Sequence, residues 1–437
     1  MQTRGHGHHG QLFPILCFGL IAVLSVGSAT VPPPRPVRAA QPGLGDRTHD
    51  MDAMVAAAPR SAPELALRFE ALLGQHSELA ADFMRGRIRG DDDFAQAANA
   101  ALGKNTDAMT QLMGSLFGTA TAKKFRPLWA EHIVELFTYA RGLADSDDAM
   151  RRDARTELAE YEEDLGSFFT AASHGRLSRD TANRAMRTHV DHLLMQADAY
   201  AARDYPTADR IYREGYQHTY DLGGTVAAAL LPAKEAAALQ APLWRLRSHL
   251  GRLLSEHVVL LEDVTRAAIT NTPDFDAAAQ SVNGNTRDLA AAMDSLFGAA
   301  AAKDFQSLWA NHIEQLVTYA SATATQDSAV RERTRTKLHD FEVRMAAFLG
   351  TATGKRLSSG SLADALQAHD QMLLRHTDTF AAKDYATAHE IAYQTYENMF
   401  ELARQLAQAF GATVASRLPV GGPQTGYGGM ADAVERR

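Results

Sequence analysis

Histidine is the residue whose placement in this chain could do chemistry. His76, His132, His189 and His218 each fall on the apolar face of a different amphipathic segment. Imidazoles projecting from separate helices into one interior are the geometry from which helical bundles build metal sites. Further along, His257, His312 and His369 recur in matching surroundings, and the fourth place reads Asn398-Met399, which sets a thioether beside it. His76, His132, His189, His218, His257, His312, His369 and Met399 are therefore the candidate metal ligands. Near His189, His192 has Met372 as its counterpart, and Gln196 has His376. A shell of imidazole and thioether suits copper or iron, whereas magnesium and calcium prefer oxygen. Two facing imidazoles could also hold b-type haem. The competing expectation is that each ring is a buried polar fastener bonded to a neighbour, with no ligand at all.

Other chemistries have little to stand on. The only cysteine is Cys17, so disulfides, thiolate metal sites and a cysteine nucleophile are excluded beyond it. Covalent c-type haem is excluded too, because no C-x-x-C-H occurs. The Glu-x-x-His spacing of carboxylate-bridged bundle sites is missing, as is any Ser-His-Asp array, P-loop or dinucleotide fingerprint in usable context. With no catalytic array to set beside the histidines, the leading expectation is a carrier, store or sensor of metal or haem rather than a catalyst. Trp129 and Trp309, three residues before a recurring histidine, read as core packing. Asp198 and Asp378 fall off the histidine stripe, as partners of ligands or as solvent-facing groups. A net charge of -8 argues against an electrostatic nucleic-acid binder.

The histidines recur because long segments recur. FRPLWAEHIVELFTYA at residues 125–140 is answered by FQSLWANHIEQLVTYA at 305–320, and AARDYPTA at 201–208 by AAKDYATA at 381–388. A repeat this long implies two tandem homologous domains rather than a solenoid. The expected class is all-α, with antiparallel helical bundles over 63–235 and 239–415.

Periodicity and caps place helices in the first repeat at about 63–88, 92–117, up to about 143, 147–172, from Ser178 onward, and from Asp204 to about 231. Pro127 suits a first helical turn, which would start the third helix close to it. Gly103-Lys104-Asn105 is a possible bend.

Residues 1–29 read as a secretory signal peptide: Arg4, an uncharged apolar run from Leu12 to Val26, then Gly27-Ser28-Ala29. The run is too short for a stable span, so no membrane anchor is expected once it is cleaved. Residues 30–62 read as a Pro-rich linker and 418–437 as a flexible tail. The sequence thus predicts an extracytoplasmic, periplasmic or secreted, protein whose partner is a metal ion or haem, or else a helical interaction module that binds a protein.

Overall fold

The computed structural model describes residues 61–417; the expected signal peptide, nearly all of the linker and the tail lie outside the described residues. Among the described residues there are thirteen helices and no strand. They are α1 (Ala62–Arg89), α2 (Asp92–Phe117), α3 (Thr119–Ala144), α4 (Asp148–Ala172), α5 (Arg179–Ala201), α6 (Tyr205–Leu230), a short α7 (Ala233–Ala238), α8 (Pro242–Thr270), α9 (Phe275–Phe297), α10 (Ala299–Ala324), α11 (Ser328–Ala352), α12 (Ser359–Ala381) and α13 (Tyr385–Arg417). The protein is all-α. None of these helices is long and apolar enough to cross a membrane.

Local chemistry sets the helix ends. At the start of α1, Glu64 accepts both the backbone N–H and the hydroxyl proton of Ser61, with Pro63 in the first turn. Asp91, Asp147, Ser178 and Asp204 each accept a backbone N–H from the first turn of the helix that follows. Gly90 closes α1 at φ 75°, a conformation that costs glycine no Cβ clash.

Pro127 departs from expectation. It lies inside α3, which begins eight residues earlier at Thr119. Its ring removes one N–H from the helical ladder, and the site is exposed, so the carbonyl it frees can be solvated and the helix continues. α2 also runs unbroken through Gly103-Lys104-Asn105, where the buried Asn105 amide donates to the carbonyl of Leu72 and to Gln75 Oε1 at 3.0 and 3.1 Å.

Each half is organised round its first long helix. α1 packs against α2, α3, α5 and α6; α8 packs against α9, α10, α12 and α13. Helix bounds recur 180 residues apart: α3, α4 and α5 end at Ala144, Ala172 and Ala201, and α10, α11 and α12 at Ala324, Ala352 and Ala381. Being surrounded, α1 buries polar residues on faces that an isolated amphipathic helix would expose, including Glu70, Gln75, Glu78 and Arg85.

The halves also pack against one another, through α1 with α8, α2 with α13, and α6 with α9. Tyr396 in α13 donates its hydroxyl proton to the carbonyl of Ala71 in α1 at 2.9 Å and stands 2.9 Å from the hydroxyl of Tyr216 in α6. This crossing needs a glycine in α1. A Cβ on Gly74 would come within 2.9 Å of the Tyr220 ring and 3.0 Å of the Tyr396 oxygen.

Candidate metal centre

Three helices converge on one point in each half. In the first, His76 from α1, His132 from α3 and His189 from α5 each offer a ring nitrogen, and these lie within 4.8 Å of one another. In the second, His257 from α8, His312 from α10 and His369 from α12 do the same. All six side chains are 0 to 1% exposed. Nitrogens bound to one tetrahedral ion at about 2 Å stand about 3.3 Å apart, so each group of three could hold a metal ion.

The first triad is the tighter. Nε2 of His76 and Nε2 of His132 are 3.0 Å apart. His189 is oriented by Thr219: the threonine hydroxyl gives its proton to the carbonyl of Gly215 at 2.8 Å, so its oxygen accepts from Nδ1–H of His189 at 3.1 Å. That assigns the proton to Nδ1 and leaves Nε2 of His189 with a free lone pair, the form in which imidazole binds a metal. Nε2 of His189 is buried without a hydrogen-bond partner among the described residues.

In the second triad every ring nitrogen of His257, His312 and His369 is buried without a hydrogen-bond partner among the described residues. Buried imidazoles are ordinarily bonded, which makes six orphaned nitrogens at one point unusual. Asp370 adds a carboxylate, with Oδ1 3.3 Å from Nδ1 of His312 in a contact too oblique for a hydrogen bond.

Burial governs the electrostatics. It pushes His132 down to about 3 and His369 to about 4. It also holds His76, His189, His257 and His312 well below the ordinary histidine value, with mutual repulsion between the rings adding to the effect. All six are therefore neutral near pH 7, as metal ligation requires.

Aromatic rings wall in both triads. Trp129 lies 4.6 Å, centroid to centroid, from His76, and Tyr161 stacks on His132 at 4.5 Å. Trp309 takes the same place on His257 at 4.6 Å, and Phe341 stacks on His312 at 4.4 Å. The tryptophans thus pack the core and touch the site at once.

Six of the eight residues singled out from the sequence come together. His218 does not join them: it is half-buried, its Nε2 lies 3.1 Å from the carbonyl of Ala185, and its ring faces His192. The next residue, Thr219, is the one that reaches the triad. Met399 is fully buried in α13, at the register position of Thr219 rather than of His218. Asp198 and Asp378 stand away from the triads as acceptors of Tyr139 and Tyr319 hydroxyls, each joined by arginines: Arg155 in one case, Arg331 and Arg335 in the other. Sequence reasoning overlooked Thr219, Tyr161 and Asp370. For Asp370 a signal existed, an acid next to His369 where the first half has Val190.

No protein family, curated protein or solved structure matches this chain.

Proposed function

We propose that this protein binds a transition-metal ion in each half, through His76, His132 and His189 in the first and His257, His312 and His369 in the second, and acts as an exported carrier, store or sensor of that metal. The observation that carries the proposal is the convergence of three neutral, buried imidazoles from three helices within 4.8 Å, in both halves. A polar cluster kept only for stability would not need the same three ring positions twice, nor leave so many of its nitrogens unbonded. An all-nitrogen set suits copper, iron or zinc and gives magnesium or calcium nothing to prefer. A single ion fits better than haem, because a porphyrin separates its axial imidazoles by its own thickness, whereas His76 and His132 stand at 3.0 Å with Trp129 and Tyr161 packed on them. Export is part of the proposal on the strength of the leader-like first segment.

Elemental analysis of the purified, tag-free chain, together with titration of the chelator-stripped protein by copper, iron and zinc salts, tests the reading. Up to two equivalents per chain are expected, lost one half at a time when His132→Gln and His312→Gln are made. Less than about a tenth of an equivalent of any ion, with stability alone affected by the substitutions, would leave the histidines as buried fasteners.

A further inference from the structure

The two triads share their imidazoles but differ in their acidic neighbours. Asp370 in α12 is 1% exposed, and neither of its oxygens has a hydrogen-bond partner among the described residues. Its Oδ1 stands 3.3 Å from Nδ1 of His312. The matching position in the first half is Val190, and no acid replaces it: the residues that touch the first triad from α4 and α6 are the neutral Tyr161 and Thr219. One shell further out, Glu162 in the first half pairs with Arg187, whereas Glu342 in the second faces Nδ1 of His339 and has Gln367 where the arginine would stand.

A buried ion bound by three neutral imidazoles keeps its whole charge in a medium that solvates charge poorly, and that cost rises steeply with the charge. A monocation is therefore the better guest of the first triad. In the second, the carboxyl group of Asp370 beside a ligating ring would release its proton when a dication binds and so offset one of the ion's charges. Standing 3.3 Å from Nδ1, it would need only to turn to accept Nδ1–H when an ion binds, which would fix His312 to ligate through Nε2 in the carboxylate–histidine–metal arrangement that raises ligand basicity.

Resting on the metal-binding reading above, we propose that the halves are built for ions of different charge: the first triad takes copper(I), and the second, with Asp370 as its counter-charge and positioning residue, takes a divalent ion such as zinc or iron(II).

The full chain, stripped with chelator, is titrated with cobalt(II), read by its visible absorption band, and anaerobically with copper(I) against a competing chelator. One tight cobalt(II) equivalent is expected. It should weaken roughly 10- to 100-fold in Asp370→Val and be unaffected by His132→Gln. Tight copper(I) binding should show the reverse dependence. Val190→Asp should create a second cobalt(II) site, a gain that misfolding cannot imitate. Two cobalt(II) sites of equal affinity in the unaltered chain overturn the charge assignment while the metal reading stands, as does insensitivity to both Asp370→Val and Val190→Asp. Failure of both ions to bind overturns the metal reading, and this inference with it.

Discussion

Arg85 of α1 sets its guanidinium 3.3 Å from the carboxylate of Asp263 in α8, so a buried ion pair joins the two halves of the chain. The same guanidinium pairs with Asp209 at 2.9 Å, donates through Nε to Gln196 at 2.9 Å, and lies over the rings of Tyr200 and Tyr212. Arg266 of α8 pairs with the other oxygen of Asp263 and with Asp274. Arg85 is 2% exposed. Burial alone would weaken its charge, but the two aspartates hold its pKa above the ordinary arginine value.

Removing one partner of such a network strands the other charges in the interior. Arg85→Met should therefore cost about 3 to 5 kcal/mol in urea unfolding. Arg126→Ala, which breaks the exposed pair with Asp107, should cost less than about 1 kcal/mol. Equal effects would mean that the junction between the halves contributes nothing to the stability of the whole.

The triad histidines should make the metal-free protein acid-sensitive. His132 is depressed by burial to about 3, against about 6.5 for an unfolded histidine. A basic group whose folded pKa lies below its unfolded one contributes stability in full above about pH 6.5, and loses it as the pH falls toward the folded value. Relative to His132→Gln, the unaltered chain should thus lose about 2 to 3 kcal/mol between pH 7 and pH 4.5, measured by urea unfolding in chelator. Glu70 acts in the opposite sense. Burial pushes it up to about 7 despite the hydroxyl proton donated by Ser248. Its penalty grows between about pH 4.5 and 7, so Glu70→Gln should become the relatively more stable form over that interval. Parallel curves for all three proteins would contradict both assignments.

Much of this arrangement was legible in the sequence, and the losses have identifiable causes. Helix bounds could be read because Asp91, Asp147, Ser178 and Asp204 are short polar caps directly before apolar stripes. The triads could be read because the same histidines recur at matched positions. His218 was misleading because successive helical residues point about 100° apart, so an apolar stripe assigned by eye is uncertain by one place, and Thr219 is the residue that faces inward. The junction between the halves was not legible. Glu78 and Arg85 lie on a face of α1 that the apolar stripe does not mark; Arg85 is enclosed by Gln196 of α5 and Asp209 of α6 as well as by Asp263 of α8.

Thr219 and His218 therefore make a paired test. Thr219→Val removes the oxygen that holds His189 in its Nδ1–H tautomer, and should weaken the ion of the first half roughly 10- to 100-fold while leaving the second half unchanged. Thr219→Ser should restore most of the affinity. His218→Gln, whose ring is engaged with the Ala185 carbonyl, should leave both ions bound as before. Competition titrations against a chelator measure all three. A loss on His218→Gln equal to that on Thr219→Val would show that the inward face of α6 has been assigned one residue out of place.

Tyr161 gives a substitution of opposite sign. Its ring stacks on His132, but its hydroxyl is buried with no hydrogen-bond partner among the described residues, and burial raises its pKa well above the ordinary tyrosine value. An unpaired buried hydroxyl costs about 1 to 3 kcal/mol, and the second half avoids the cost by using Phe341 at the same register position. Tyr161→Phe should therefore stabilise the metal-free chain by about 1 kcal/mol, since the ring keeps its contacts and only the desolvated oxygen leaves. The ion-loaded protein decides between two roles for that oxygen. If Tyr161 is packing alone, the stabilisation persists and affinity is unchanged. A gain in stability coupled to weaker ion binding in the first half would mean that the hydroxyl is kept, at a cost to the fold, for the metal.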